Sequence, residues 1–330
     1  MTTIGKLNHP KPDTTKSLPL PTLRAPTVLD AGKGDDKIRV SKGRDGLYEV
    51  DVNGQKHRYT ADQLSRLTIK GGEGKDNITI DKSVDVKVRV EGGQGNDTIL
   101  NYAKDSYVSG GRGRDRITNF GDRSTVLGGD GHDSIQNGSS GSKIDGGTGN
   151  DTIRSWGQSN ELLGRRGNDR IASFGDSNRV DAGLGKDEVH SLGDSNKVFG
   201  GNEADTLISA GDHNELDAGD GNDTVRSVGS KNKVFGMGGN DKVAVAGEEN
   251  LVFGGDGDDS LSLVGHGNSA VGQAGRDHVN DFGTANRLYS AETKTKDGAK
   301  LKALRSSVDE GVRTVLLRDL SSLEGMRIKG

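Results

Sequence analysis

The chain has 330 residues, of which 29% are hydrophobic and only 4% aromatic; 53 are glycine, and the formal net charge is −4. So little apolar content excludes a broad globular core, and the near balance of charge gives no global pull toward nucleic acid or an anionic membrane. No apolar run is long enough to span a bilayer, and the absence of cysteine removes disulfides and thiol chemistry.

Residues 1–29 carry all five prolines among scattered threonines and read as a disordered leader. The opening MTTIGKLNHPKPDTTK holds no apolar h-region, so no cleaved secretory signal is expected. Residues 30–70 read as an N-terminal cap. They contain one glycine-rich hexad, Ala31 to Asp36, and then an Asn53-Gly54 pair between alternating runs, which is a strong hairpin signal.

Residues 71–290 form a repeat array. Its hexads begin at 71, 92, 110, 128, 146, 164, 182, 200, 218, 236, 254 and 272, so the first interval is 21 residues and every later one is 18. Each hexad closes on an aspartate: Asp76, Asp97, Asp115, Asp133, Asp151, Asp169, Asp187, Asp205, Asp223, Asp241, Asp259 and Asp277. Nine residues after the aspartates from Asp97 onward stand Ser106, Ser124 and Ser142, then asparagine from Asn160 to Asn286. Numbering each nine-residue half from one to nine, position eight is aliphatic almost throughout. Val189, Leu207 and Val225 show it in first halves, and Val198, Leu216 and Val234 in second halves. A left-handed hexapeptide helix would need an aliphatic every six residues. A period of nine predicts two short strands per coil joined by two tight turns. The fold expected is all-β: a right-handed parallel β-roll of 18-residue coils about 4.8 Å apart. Residues 291–330 lose the period and read as a small C-terminal cap, compatible with helix or short strands.

The first-half turns share the pattern GGxGxD, which is a calcium-binding β-helix repeat. Glycines such as Gly92, Gly110, Gly128, Gly146 and Gly254 let the backbone turn several carbonyls toward one point. The aspartate adds charge, and adjacent turns together can supply the six to eight oxygens that Ca²⁺ takes. Mg²⁺ suits the pattern less well, and the seven histidines show no transition-metal spacing. Two or three buried aliphatics do not offset the ordering of an 18-residue coil, so calcium binding is expected to be part of folding. The second edge, with neutral asparagines, reads as a ladder of side-chain amides rather than a calcium row.

These motifs resemble the repeats-in-toxin (RTX) family of hemolysin-type calcium-binding repeat proteins, over about two-thirds of the chain. The resemblance implies a parallel β-roll with several Ca²⁺ ions along one edge. It also implies export from bacteria without a cleaved signal peptide, and folding triggered by external calcium. The aspartates and glycines named above carry over as metal residues. Four turns depart from the pattern: Gly164 to Asp169 with Arg165, Gly200 to Asp205 with Glu203, and those opening Gly236-Met237 and Gly272-Gln273. Weaker binding is expected there. Family members usually bear the motif on both edges; here one edge bears it.

No GxSxG, HExxH or phosphate loop is present, and no enzyme is expected. The expected role is a structural or interaction module, or a secreted effector. A polysaccharide-active β-helix enzyme of the epimerase or lyase kind is the alternative, although 18-residue coils leave little room for a cleft. An ice-binding or surface-adhesion face is a third reading. It needs a flat array, and Glu73, Lys75, Arg112 and Arg114 on the calcium edge break one. Type I and type III export are both compatible with the chain. On the outside of one sheet, position nine of the second half includes Leu127, Leu163, Phe199, Phe235 and Phe253. That row is expected either to be covered by the C-terminal segment or to bind a partner, with self-association through Phe199, Phe235 and Phe253. Basic residues at Arg112, Arg114, Arg116 and Arg123, and at Arg165, Arg166, Arg170 and Arg179, suggest a solvated face, or contact with an acidic glycan or a host or extracellular protein.

Overall fold

A computed structural model describes residues 27–289 and 293–295. Most of the expected leader and nearly all of the expected C-terminal cap therefore lie outside the described residues. Among those described, two long sheets of 14 and 16 strands face each other, and the chain alternates between them as it winds along a common axis. Neighbouring strands are parallel and one coil apart. Val198 aligns with Leu216 in one sheet, and Leu207 with Val225 in the other. The result is a parallel β-roll.

The β-branched and leucine residues at position eight point inward and are sealed from solvent in both sheets, as at Val198, Leu207, Leu216 and Val225. Between them the interior is narrow. Positions one and six of each half also face inward; they carry glycine or alanine with aspartate on one edge, and mostly serine and asparagine on the other.

The stack begins before residue 71. Strand β1 (Val28–Lys33) pairs parallel with the strand Thr68–Glu73, and β2 (Lys37–Lys42) pairs parallel with Asn77–Ile80. Residues 28–42 are thus already a coil, and residues 43–67 are an insertion into the winding. Strands β3 (Tyr48–Val52) and β4 (Gln55–Tyr59) extend the sheet antiparallel from β2. Asn53 and Gly54, with φ of 53° and 89°, make the two-residue turn between them. Helix α1 (Ala61–Arg66) starts on a capping box between Thr60 and Gln63 and buries Leu64. Tyr59, Leu64 and Leu67 join the core cluster and close its N-terminal end. The three extra residues of the 21-residue interval fall between Ile80 and Val88. They bring Asp85 to Lys42 Nζ, at 2.6 Å, and to the Tyr48 hydroxyl.

The two edges turn by different means. On the glycine edge, positions two and four adopt positive φ, as at Gly129 (122°) and Gly131 (135°). On the other edge position five is left-handed, at Ser159, Ser177 and Ser195 (58° each) and at His213 (60°). Four positive-φ positions of the glycine edge carry a side chain: Arg165 (82°), Glu203 (76°), Met237 (78°) and Gln273 (81°). A side chain in the left-handed region costs about 1–2 kcal/mol. Met237 is 49% exposed, so its side chain recovers little of that by packing. Met237→Gly should therefore stabilise the roll by about 1 kcal/mol, read as a higher thermal or denaturant midpoint in calcium; an unchanged or lower midpoint would show that the turn is not strained there.

Candidate metal edge

The column of aspartates from Asp76 to Asp277 lies inside the roll, against the glycine-edge turns, and each of these residues is at most 4% exposed. Asp36, in the first coil, joins them at 7% exposed; its hexad was readable, but the 40-residue gap to Asp76 set it apart from the period. Each aspartate binds the coil before it. The backbone N–H of Asp97 donates to Oδ1 of Asp115 at 2.8 Å, that of Asp115 to Asp133 at 2.8 Å, and that of Asp151 to Asp169 at 2.7 Å. The series runs from Asp36–Asp76 to Asp259–Asp277.

One oxygen of each carboxylate is thereby used. The other, Oδ2, is buried in every aspartate of the column from Asp36 to Asp259 and has no hydrogen-bond partner among the described residues. It lies close against the glycine that opens the hexad, where a larger residue would have to displace it. A methyl group on Gly146 would come within 2.5 Å of Asp151 Oδ2 and 3.0 Å of the Gly164 carbonyl oxygen. Gly92, Gly110, Gly128 and Gly254 stand in the same relation to the carboxylates of Asp97, Asp115, Asp133 and Asp259 and to the carbonyl of the next coil. Each cradle is thus lined by a bare carboxylate oxygen and a backbone carbonyl. No group of three or more histidine, cysteine or acidic side chains gathers among the described residues. A cation here would be held by one carboxylate per coil together with backbone oxygens, a donor set that matches Ca²⁺ and offers nothing to a soft metal.

Burial makes these carboxyls hard to ionise without a cation. It raises Asp97, Asp187 and Asp223 to about 7, and Asp151 and Asp205 to about 8. Asp115, Asp133, Asp169 and Asp259 are raised to about 6, again chiefly by burial, while Asp76 and Asp241 move in the same direction. The backbone N–H bonds oppose the shift, and repulsion from neighbouring aspartates adds to it in most coils.

Three turns depart from the glycine pattern at position one, which is Ala31, Ala182 and Ala218. Ala182 and Ala218 are fully buried, so a methyl group stands beside Asp187 and Asp223 where most turns carry none.

The opposite edge repeats the aspartate arrangement in neutral form. The N–H of Asn160 donates to Asn178 Oδ1 and that of Asn196 to Asn214 Oδ1, both at 2.8 Å. The expected amide ladder is therefore mainly a side-chain-to-backbone ladder; direct amide pairs such as Asn250 Nδ2 to Asn268 Oδ1 (3.0 Å) are additional. A second buried polar column lies beside it. Asn101, Asn119 and Asn137 stand in the coils of Ser106, Ser124 and Ser142, whereas from Ser155 to Ser227 the pair is reversed, as Ser155 with Asn160 and Ser191 with Asn196; Val245 and Leu263 then take the position. Amide and hydroxyl exchange places, and the interior volume stays filled.

The predicted basic clusters are largely engaged by carboxylates. Arg112 lies 3.7 Å from Asp130, Arg123 2.8 Å from Asp105, Arg165 2.9 Å from Asp145, Arg170 3.1 Å from Glu188 and Arg179 3.5 Å from Asp181. In the position-nine row, Arg179 lies over the Phe199 ring at 4.2 Å, Phe235 stacks on Phe253 at 5.2 Å, and Leu163 is buried. Most of the segment expected to cover that row lies outside the described residues.

The family model for the RTX calcium-binding nonapeptide repeat matches residues 89–117, 127–162, 137–171, 157–189, 190–225 and 235–263. No curated protein matches the chain.

The raised carboxyl pKa values give the metal-free roll a definite pH dependence. Well below about pH 4 the aspartates are protonated in both folded and unfolded chains. As pH rises from there to about 6 to 8 the unfolded chain ionises freely while burial resists ionisation in the fold, so stability falls. Metal-stripped protein should accordingly hold more β-structure by circular dichroism at pH 5 than at pH 8, and saturating calcium should remove or invert that trend; identical metal-free spectra at the two pH values would contradict the burial of these groups. Ala182→Gly should lower the calcium concentration at half-saturation in calorimetric titration, and Gly146→Ala should raise it. Equal titrations for both variants and the parent would show that position one does not bound the cation site.

Proposed function

Over residues 89–263 the chain is an RTX calcium-binding repeat protein, and on that basis we propose that it is a noncatalytic, exported module whose roll folds when it meets calcium. The column of buried, unpartnered Asp Oδ2 atoms is the observation that carries this reading. Without a cation, the coils of Asp97, Asp151, Asp187, Asp205 and Asp223 must either bury a bare anion or hold a proton near neutral pH, and both are unfavourable beside so thin a core. Bound Ca²⁺ supplies positive charge between coils and lets the carboxylates stay ionised. The chain's residues do the rest: position-eight aliphatics align the coils, glycines open the cradles, and backbone N–H groups fix each carboxylate.

Extracellular calcium modules work at about 10⁻⁴–10⁻³ M, and a protein stable only in that range would stay unfolded in cytosol and fold after export. The two unlike edges support a structural or interaction role, because the neutral asparagine edge needs no metal ion of its own. No helix among the described residues is long and apolar enough to cross a membrane. A partner of the acidic-glycan kind is weakly supported, since the arginines it would need are mostly engaged by carboxylates.

Far-UV circular dichroism of metal-stripped protein, titrated with calcium at pH 7.5, tests the proposal. A disordered spectrum that converts to β-structure over the stated range supports it, whereas a fully folded roll in excess chelator overturns it.

A further inference from the structure

The turns of the glycine edge fall into two blocks. The five hexads from Gly71 to Asp151 all read GGxGxD, so four successive pairs of neighbouring turns are regular in both members. From Gly164 to Asp277 only the hexad Gly254 to Asp259 keeps the pattern, and no two neighbouring turns are both regular. Arg165, Glu203, Met237 and Gln273 hold side chains at positive φ in this second block, and the methyl groups of Ala182 and Ala218 stand at position one. Each cradle is lined in part by the carbonyl of the next coil, as that of Gly146 is by Gly164, so a cation depends on two successive turns. Charged side chains at positions three and five are nearly balanced in sign in both blocks and do not set them apart.

The neutral edge changes at nearly the same place. Before Ser155 its buried polar groups are bonded to one another: Asn101 Nδ2 donates to Asn119 Oδ1 at 2.7 Å, Asn119 Nδ2 to Asn137 Oδ1 at 2.8 Å, and the Ser106 hydroxyl to the Ala103 carbonyl at 3.0 Å. Further on, the hydroxyls of the same column from Ser173 to Ser227 and the Nδ2 atoms of Asn196, Asn214 and Asn232 are buried without a hydrogen-bond partner among the described residues. Buried polar groups in that condition weaken a fold.

The first block also begins on a finished end. Within the stack an aspartate's peptide group makes two bonds to the next coil: Asp76 donates its N–H to Asp97 Oδ1, and its carbonyl accepts from Thr98, each at 2.8 Å. Among the described residues no coil precedes that of Asp36, and the Asn53 side chain supplies the same pair of bonds. Its Nδ2 donates to Asp36 Oδ1 at 2.6 Å and its Oδ1 accepts the Lys37 N–H at 2.9 Å. Tyr59, Leu64 and Leu67 close the core at this end, so both the polar ladder and the apolar interior are capped.

We infer that the roll takes up calcium in two steps, the block from Asp36 to Asp151 ordering first and serving as the template for the block from Gly164 onward. This rests on the calcium-driven folding proposed above. A stack of repeats draws its stability from single coils and from contacts between neighbours, so a run of sound neighbours orders on its own, while a run of flawed ones needs an ordered neighbour or more ligand. The ladder has the matching direction, because the N–H of Asp151, at the end of the first block, donates to the Asp169 carboxylate of the second. At intermediate calcium the chain then carries an ordered N-terminal block and an unfolded C-terminal one.

Hydrogen exchange read by mass spectrometry on the full chain, along a calcium series, tests the order of events, with circular dichroism on the same samples reporting folding as a whole. Peptides from residues 71–160 should become protected at a calcium concentration about threefold or more below that needed by peptides from residues 164–281. Gly110→Ala and Gly254→Ala form a matched pair, because each new methyl group would press on the carboxylate of its own hexad and on the carbonyl of the next coil. Gly110→Ala should raise the calcium requirement of both blocks, and Gly254→Ala that of the second block alone. Protection of both blocks at one concentration, or of the second block first, overturns the inference even where circular dichroism shows calcium-driven folding. Equal effects of the two variants on the first block overturn it too. A roll fully folded in excess chelator removes the calcium reading beneath it as well.

Discussion

The hydrogen bond from one aspartate's backbone N–H to the carboxylate of the next coil is the contact on which the roll depends. It fixes the height of each coil on its neighbour and orients the carboxylate. It also determines which oxygen is left over. A side chain that spends Oδ1 on the stack has only Oδ2 to offer, and the turn geometry leaves that atom buried without a hydrogen-bond partner among the described residues. Structural support and metal affinity are two ends of the same group.

The asparagine edge isolates the first of these roles. Asn178 accepts the N–H of Asn160 as Asp169 accepts that of Asp151, at closely similar length, yet it brings no charge. Stacking geometry alone therefore does not require an anion. What the aspartate adds is a charge that is unfavourable until it is matched, and this difference confines the demand for a cation to one edge of the roll.

Much of this was legible in the chain. A strict 18-residue period assigns each residue a place on the coil, and aliphatics nine apart require two facing sheets. Spacing therefore determines the fold, the edge of the aspartates and the difference between edges. Other features were hidden for physical reasons. Hydrogen-bond direction and the choice of oxygen depend on side-chain rotamers, which spacing does not encode. Asp36 escaped the period because a hairpin and a helix are inserted into the first winding. The exchange of asparagine and serine between the coils of Asn137 and Ser155 lies inside the roll, and spacing alone does not tell that a polar column faces inward. Ala182 and Ala218 are simply small residues in the sequence, and only the proximity of the carboxylate to position one gives the methyl group significance.

The buried ladders also have a direction. On both edges the donor is the backbone of the earlier coil and the acceptor the side chain of the later one. Removing coils from the N-terminal side exposes an acceptor oxygen, which water or a cation readily satisfies. Removing them from the C-terminal side leaves two N–H groups of the new last coil, one per edge, without the side chains that received them. The roll is thus a polar filament in miniature, with two chemically unequal ends, and its order is most easily extended where an incoming coil supplies acceptors to donors already in place.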